Sequence, residues 1–331
     1  LSRLAPRFAF RFHLRYYPLA LIDGEGRSLG IVESVLVGAW SLGLAQKLVA
    51  LELQLLIGLL LSVAVAWLGY RLNSLSEQGM YGAIAVGTLT FGFGGWPWGL
   101  LLVAFFVTSS ILSRYRFAEK RAATTHFAKT GRRDLGQVLA NGGLGALLAL
   151  WYGLSGGAHL LLFFAFAGAM AAVNADTWAT ELGVLSRRKP RLITSGERVE
   201  PGASGAVSKL GLIASLAGAW LIGFLGLAFQ VIDGRIDGVP HTGRLVWLPL
   251  AAAVGGMVGS LVDSLLGATL QAIYYCPHCG KETEQPVHRC GRQPIYVRGL
   301  HWLDNDWVNL FSSVAGALVA AFAGTFALFL R

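Results

Sequence analysis

Charged side chains are scarce in this chain of 331 residues, where they make up 14%, whereas a soluble domain carries about 25%. So few charges cannot cover a water-facing surface, which excludes a soluble globular enzyme and a disordered protein. Cysteine is also scarce: the chain has three, all close together in sequence. An odd number this small excludes a secreted scaffold held by disulfides. No glycine-rich segment continues into the Gly-Lys-Ser/Thr of a Walker loop, so no soluble nucleotide-binding domain is expected.

Long apolar runs dominate the chain instead: hydrophobic residues make up 54% of it, and the mean hydropathy is +0.57. Runs that approach the ~20 residues of a membrane-spanning helix lie at 53–70, 80–95, 98–113, 136–155, 158–180, 205–231, 245–271 and 306–330. A further apolar segment at 30–46 contains Glu33 and fits either a ninth span or a helix at the membrane surface. The sequence therefore predicts an all-α, polytopic membrane bundle of about eight helices.

Basic residues are distributed unevenly along the chain. Residues 1–50 form a basic, aromatic segment without the features of a secretory signal, and 51–331 is the predicted transmembrane catalytic domain. Within this domain, basic residues concentrate in loops at 114–134, 182–209 and 272–303. The positive-inside tendency places these loops in the cytoplasm. We attribute the net charge of +9 to this orientation and to contact with anionic lipids, and expect no nucleic acid partner.

Polar side chains interrupt several predicted spans, where lipid makes them costly and function is the default interpretation. These residues are Asn141, Asn174, Asp176, Thr177, Thr180, Glu181, Ser204, Ser208, Asp263, Ser264, Asp304, Asn305, Asp306 and Asn309. Under the predicted topology every one lies in the cytoplasmic half of the membrane. They predict one site that is open to the cytoplasm.

The acids in this set suit a divalent cation, because carboxylate, hydroxyl and amide oxygens are the ligands that Mg²⁺ prefers. We expect Asp176, Glu181 and Asp263 to be the catalytic acids and to bind Mg²⁺, with Asp304 and Asp306 as further ligands. Asp176 and Glu181 lie about 140° apart around an ideal helix, so joint coordination requires local unwinding, or the two have separate roles. The alternative is helix capping and hydrogen bonding between helices, and for Asp304 an N-cap is equally favoured.

Basic and glycine-rich segments beside the acids predict a phosphate site, because a glycine-rich turn that opens a helix presents free backbone N–H groups to an anion. The candidate residues are Arg191, Thr194, Gly205, Ser208 and Lys209, together with Lys120, Arg121, Arg132 and Arg133. The alternative for each basic residue is a role in membrane topology alone. Acids for a metal and bases for phosphate, at the depth of the lipid headgroups, predict phosphoryl chemistry on an amphiphile.

The three cysteines lie in one predicted cytoplasmic loop, as Cys276-Pro-His-Cys279 followed by His288-Arg-Cys290. This spacing predicts a small zinc knuckle, in which four ligands would close the site and make it structural. The fourth ligand is open between His288, His278 and His301. The alternative is three free thiols that only pack.

Five motifs occur in order: Asp176-Thr-Trp-Ala-Thr-Glu181-Leu-Gly183, Pro190-Arg191-Leu-Ile-Thr194, Pro201-Gly202-x-x-Gly205, Gly259-Ser-Leu-Val-Asp263 and Leu303-Asp-Asn305-Asp-x-x-Asn309. Together they resemble the family of transmembrane protein 19 and plant phytyl-phosphate kinase. The resemblance begins near residue 55 and does not include the cysteine cluster. It implies a kinase that uses a nucleoside triphosphate, with CTP favoured in the wider group, to convert an isoprenoid monophosphate such as phytyl or geranylgeranyl phosphate into the diphosphate. The family residues map to Asp176, Thr177, Glu181, Arg191, Thr194, Gly205, Asp263, Asn305 and Asn309.

Two alternative functions remain open from the sequence. A cytidylyltransferase that makes a CDP-lipid from CTP would use the same parts and release pyrophosphate. A lipid-phosphate transporter would have polar residues across the whole bilayer and an inverted repeat with broken helices. Neither transporter feature is found, because the outer halves of the predicted spans are nearly all apolar.

Overall fold

The computed structural model describes residues 30–123, 132–157, 159–236, 242–285, 287 and 290–329. The helices in this part of the chain are α1 (Gly30–Arg71), α2 (Glu77–Gly94), α3 (Trp96–Arg114), α4 (Phe117–Ala123), α5 (Leu135–Leu154), α6 (Leu160–Gly183), α7 (Lys209–Ile236), α8 (Thr242–Leu245), α9 (Leu248–Thr269) and α10 (Asn305–Phe329). The strands are β1 (Arg191–Leu192), β2 (Ala206–Val207), β3 (Ile273–Cys276), β4 (Lys281–Thr283) and β5 (Ile295–Arg298).

Seven helical segments among the described residues are long and apolar enough to cross a membrane, which confirms the predicted polytopic helical class. They are Val49–Arg71, Trp96–Arg114, Leu135–Leu154, Leu160–Gly183, Lys209–Ile236, Gly243–Thr269 and Asn305–Phe326. The predicted count of about eight was therefore approximate. The difference is α2, which forms a helix of 18 residues over the predicted span 80–95 but is less apolar than the others.

The segment 30–46 is neither a separate span nor a separate surface helix, because it is continuous with the first span. Together they form α1, a helix of 42 residues. At 1.5 Å per residue such a helix is about 63 Å long, roughly twice the thickness of the hydrocarbon core. Part of α1 therefore extends beyond the membrane interior.

Helix α6 is the centre of the bundle and packs against α3, α5, α7, α9 and α10. Its residues 162–175 are all buried, and many of them are alanine or glycine, which allows neighbouring backbones to approach closely. The approach is closest at Gly168, where an added Cβ would lie 2.4 Å from the carbonyl oxygen of Gly316 in α10. The same oxygen lies 2.6 Å from a Cβ built on Gly255 of α9. Glycine therefore sets the spacing of the three central helices.

We expect Gly168→Ala to destabilise the bundle by about 1–3 kcal/mol, because the added methyl group overlaps the α10 backbone. Gly143→Ala is the matched control, since a Cβ at Gly143 of α5 meets nothing within 4 Å. Thermal unfolding of the two variants in the same detergent, followed by tryptophan fluorescence, measures the difference. Equal melting temperatures would contradict this packing.

The described ends of the helices that carry the predicted polar residues lie together. This polar end comprises the C-terminal ends of α3, α6 and α9, the N-terminal ends of α5, α7 and α10, and the chain between α6 and α7. There β1 pairs with β2 in an antiparallel ribbon, and β3 lies between β4 and β5 in an antiparallel sheet. In that sheet Tyr274 is opposite both Thr283 and Tyr296. The bundle thus brings side chains that are far apart in sequence together at one end of the molecule.

Candidate functional site

A cavity of about 620 Å³ opens among the helix ends at the polar end. The predicted site residues that line it are Lys120, Arg132, Arg133, Asn141, Asp176, Thr177, Thr180, Glu181, Ser204, Gly205, Ser208, Asp263, Ser264, Asn305 and Asn309. These residues come from the five helices α4, α5, α6, α9 and α10, from the segment before α5 and from the chain between α6 and α7. The structure therefore brings most of the predicted acids, amides and bases into one space.

One wall of the cavity is acidic. Asp176 is the first residue after the buried stretch of α6, and Asp263 lies on α9. Gly259, one turn before Asp263, holds α9 close to α6, because a Cβ there would lie 2.4 Å from the Cβ of Ala172. The carboxylates of Asp176 and Asp263 consequently interact electrostatically, and Glu284, which follows β4, interacts with both.

The hydrogen bonds of the protein do not satisfy both oxygens of the Asp263 carboxylate. Its Oδ2 is buried and has no hydrogen-bond partner in the described part of the chain. A buried carboxylate oxygen without a partner is costly. Asp176 and Glu284 line the same cavity, and carboxylate oxygens are donors of the kind that suits Mg²⁺. The chemistry of these donors suits a divalent cation, but among the described residues the group of side chains close enough to share one ion is the three cysteines.

Another wall of the cavity is basic, and Glu181 belongs to it through its ion pair with Lys120. The Glu181 carboxylate accepts hydrogen bonds from Ser113 Oγ and from Lys120 Nζ, each at 2.5 Å. Lys120 is 6% exposed, so this ion pair is largely shielded from water. Asp176 and Glu181 thus have different partners, in accord with the separate roles that their angle on the helix allowed. The electrostatic partners of Asp263 are Asp176 and Glu284, whereas those of Glu181 are on the basic wall.

Arg133 belongs to the basic wall and is held in place by the segment before α2 and by α3. Its backbone donates to Ser74 and accepts from Ser76, and Asp134, the next residue, caps α5. The side chain donates to Ser110 Oγ at 3.0 Å and lies over the ring of Phe106. Burial lowers the pKa of the Arg133 guanidinium, while the nearby carboxylate of Glu181 acts to raise it. A poorly hydrated cation in this position favours an anionic ligand.

The chain between α6 and α7 closes a third side of the cavity. Gly205 has a φ of +77°, and a Cβ on it would lie 2.5 Å from the backbone nitrogen of Ala268. Ser208 accepts from the backbone N–H of Gly211 at 3.0 Å and so caps the first turn of α7. Ser204 donates to the side chain of Gln271 at 2.7 Å. The ribbon is therefore seated tightly on the end of α9.

Several predicted site residues lie elsewhere. Arg191, Thr194 and Lys209 are exposed and do not line the cavity; the Arg191 guanidinium donates to the carbonyl of Gly196. Asn174 is fully buried and joins helices, because it accepts from Thr108 and donates to the carbonyl of Gly218.

The remaining acids at the start of α10 have local roles in the described structure. Asp304 Oδ1 accepts from the backbone N–H groups of Asp306 and Trp307, which makes it the N-cap that the sequence left as an alternative. Asp306 packs against Gly136, and neither acid lines the cavity. The side chain of Arg121 and all of His288 lie outside the described residues.

Other cavity residues are absent from the predicted set. Glu284 lies in a polar loop, where an acid carries no unusual cost, so the sequence contained no signal for it. Gln271 follows α9, is 2% exposed and has a side-chain nitrogen without a described partner. Ser113 and Gln137 sit at helix ends, where serine and glutamine are common. A sequence signal for Gln271 does exist, because this polar residue is the last one of the predicted span 245–271.

A second, apolar pocket of about 70 Å³ lies between α1, α2, α3 and α5. Its lining is almost entirely hydrocarbon and includes Val86 and Val103. Arg133, Gln137 and Asn141 line both this pocket and the polar cavity. A charged space and an apolar space therefore adjoin at Arg133.

The three cysteines converge near the turn between β3 and β4. Their Sγ atoms all lie within 4.8 Å of one another, and those of Cys276 and Cys290 are 3.7 Å apart. The Nδ1 of His278 lies 3.7 Å from the Sγ of Cys279. The ring of His301 stacks on Tyr296.

Comparison with known proteins agrees with the motifs. The model of the integral membrane protein family DUF92 matches residues 60–317. The chain belongs to this family. Among DUF92-type relatives, Protein PGR of Arabidopsis thaliana is 32% identical over 83% of this chain and 98% of its own length. The uncharacterized membrane protein MJ0933 of Methanocaldococcus jannaschii is 29% identical, over 81% of this chain and 93% of its own length.

A third relative is Protein VTE6, chloroplastic, of Arabidopsis thaliana, which is 26% identical over 75% of this chain and 65% of its own length. No solved structure matches this DUF92 chain. The family confirms the predicted class of integral membrane protein and the suspected resemblance.

Proposed function

We propose that this protein is a prenyl-phosphate kinase of the membrane interface. The observation that carries the proposal is the adjoining pair of spaces, in which a cavity with one acidic and one basic wall meets an apolar pocket at Arg133. An isoprenoid monophosphate has the matching shape, an anionic head on a hydrocarbon chain. The resemblance of the motifs to plant phytyl-phosphate kinases supplies the reaction class.

The acidic wall is the proposed nucleotide side. Asp176 and Asp263 would hold Mg²⁺ together with the phosphates of CTP or ATP, and Thr177, Asn305 and Asn309 would add hydrogen bonds. Bound there, Mg²⁺ would neutralise charge on the phosphates during transfer, which is the main catalytic requirement of this reaction. The unpartnered Asp263 Oδ2 supports this assignment.

The basic wall is the proposed acceptor side, where Arg132, Arg133 and Lys120 orient the prenyl phosphate. One of its oxygens attacks the terminal phosphorus of the nucleotide, the bond from that phosphorus to its bridging oxygen breaks, and a nucleoside diphosphate leaves. The attacking oxygen is already anionic, so no strong general base is needed. The pair of Glu181 with Lys120 would set the charge of this wall.

The proposed orientation places the cavity on the cytoplasmic side of a cell membrane. The basic segment at 182–209 and the described part of 114–134 border the cavity, and the positive-inside tendency applies to such loops. Cytoplasmic nucleotide would then enter from water while the prenyl chain stays in lipid.

The test uses the purified full chain in detergent with Mg²⁺, geranylgeranyl monophosphate, and labelled CTP or ATP in turn. We expect geranylgeranyl diphosphate and nucleoside diphosphate, identified by mass, and neither product from Asp176→Asn. A CDP-lipid with pyrophosphate would instead make the protein a cytidylyltransferase. Binding of the lipid phosphate without turnover of either nucleotide would favour transport and contradict the proposal.

The apolar pocket predicts a dependence on chain length. Val103→Trp would fill the pocket, so we expect it to raise the KM for geranylgeranyl phosphate about tenfold or more, corresponding to the loss of one or two buried isoprene contacts. Turnover of dimethylallyl phosphate should change less than twofold. The matched control is Val107→Trp, one turn along α3, where the side chain is 43% exposed. Equal effects of the two variants would place the hydrocarbon chain elsewhere.

A further inference from the structure

The three thiols of the sheet have the spacing of metal ligands. Ligands that lie 2.3 Å from a tetrahedral Zn²⁺ stand about 3.8 Å apart, and the Sγ atoms of Cys276 and Cys290 are 3.7 Å apart. A disulfide would need about 2.05 Å, and no pairing of three thiols leaves all of them satisfied. Cys276 itself is fully buried.

The backbone around these thiols brings them close together. Cys276 ends β3, and its carbonyl accepts from the N–H of Gly280 at 2.9 Å, which closes the turn that carries Cys279. Gly280 has a φ of +66°, as a tight knuckle turn requires. The turn is therefore ordered in the ligand-bearing conformation by its own hydrogen bonds.

The same hairpin places an acid in the cavity. Strand β4 returns from the turn and pairs with β3, with Thr283 opposite Tyr274 and only 6% exposed. Glu284 is the next residue, and it lines the cavity and interacts electrostatically with Asp176 and Asp263. The thiol cluster is at the tip of the hairpin, and the third carboxylate is at its end.

The base of the hairpin is anchored independently of the thiols. Ala272 donates to the carbonyl of Leu303, and Leu300 donates to that of Leu270. These bonds join the base of the sheet to the end of α9 and to the segment before α10. The tip has no comparable backbone anchor among the described residues, so a ligand there would restrict the hairpin most.

We propose that Cys276, Cys279 and Cys290 bind a structural Zn²⁺, and that this ion holds Glu284 in position as the third carboxylate of the cavity. The cysteines are positioning residues, since they act through the hairpin. The part of the inference that concerns Glu284 rests on the proposed function, while the zinc site stands on the thiol geometry alone.

The first measurement is the metal content of the full chain purified without chelator, by plasma mass spectrometry. We expect about one zinc per chain, lost in a Cys276→Ser/Cys290→Ser double variant and kept in Glu284→Gln. Replacement by Co²⁺ should give the absorption of tetrahedral thiolate coordination. Absence of zinc from the wild-type chain would overturn the metal site.

The second measurement is the affinity of the cavity for Mn²⁺, titrated by electron paramagnetic resonance. We expect Glu284→Gln to weaken Mn²⁺ binding about tenfold or more, the usual effect of losing a supporting group at a metal site. Glu282→Gln is the matched control, because Glu282 lies on β4, is exposed and does not line the cavity. Equal affinities of the two variants would overturn the role of Glu284.

Chelation of zinc from the wild-type chain should weaken Mn²⁺ binding to the same extent, and added zinc should restore it. This reversible arm keeps the test valid if the cysteine variant does not fold. If zinc content and Mn²⁺ affinity change as expected but no prenyl phosphate is turned over, this inference stands and only the proposed kinase function is rejected.

Discussion

Asp263→Asn is expected to lower the proposed prenyl-phosphate kinase turnover on the order of 10²–10³-fold, comparable to removing another fixed electrostatic group from an active site. The reason is geometric: Oδ2 is the buried oxygen without a partner, and an amide nitrogen in its place cannot bind a cation. Mass-resolved product formation at saturating Mg²⁺ and nucleotide measures the effect. The KM for the prenyl phosphate should change little, because its proposed site is the basic wall and not the acidic one.

The matched control for Asp263 is Asp304→Asn. Asp304 caps α10 through Oδ1 and does not line the cavity, and asparagine is as good an N-cap as aspartate. We expect activity within about twofold of the wild type, consistent with a few tenths of a kcal/mol for an exchange of caps. Full loss of activity in this variant would return Asp304 to the metal-binding group that the sequence predicts.

Arg133→Gln is expected to raise the KM for the prenyl phosphate about 10–100-fold, as loss of a charged hydrogen bond of 1.5–3 kcal/mol requires. Arg133 is the charged residue shared by the polar cavity and the apolar pocket, so it lies where the head of a bound amphiphile would be. The KM for nucleotide should change less. Initial rates with each substrate varied in turn separate the two effects.

Arg116→Gln provides the comparison for Arg133. Arg116 lies at the same end of the molecule, but it is exposed, pairs with Glu119 and does not line the cavity. We expect its kinetic constants to match those of the wild type. A larger rise in the KM for nucleotide than in the KM for prenyl phosphate in Arg133→Gln would reverse the two proposed walls.

Membrane spans were predictable because lipid imposes a simple rule: every backbone polar group must be satisfied within the segment, so each long apolar run becomes a helix. The run at 158–180 became α6, the most buried helix. The rule is weaker where apolar content falls. Helix α2 is the example, because it forms a helix but is not apolar enough to count as a membrane span. It also cannot separate a span from a longer continuous helix, as α1 illustrates.

Site residues were predictable where they lie within spans. Asp176 and Asp263 are acids in apolar helices, so their cost alone marks them, and the structure places both in the cavity. In loops the same residue types carry no such cost. Sequence reasoning therefore selected Arg191 and missed Glu284, yet Arg191 is exposed and does not line the cavity, whereas Glu284 lines it and interacts electrostatically with the two acids.

The sequence by itself determined the membrane-embedded helical class, the family motifs and the acids of the spans, because each depends on local composition and on the exclusion of charge from lipid. Only the tertiary structure decided which wall each charge belongs to. Lys120 and Glu181 are 61 residues apart, and their pairing depends on how α3, α4 and α6 pack. The position of Glu284 likewise depends on the pairing of β3 with β4, which no periodicity of the sequence encodes.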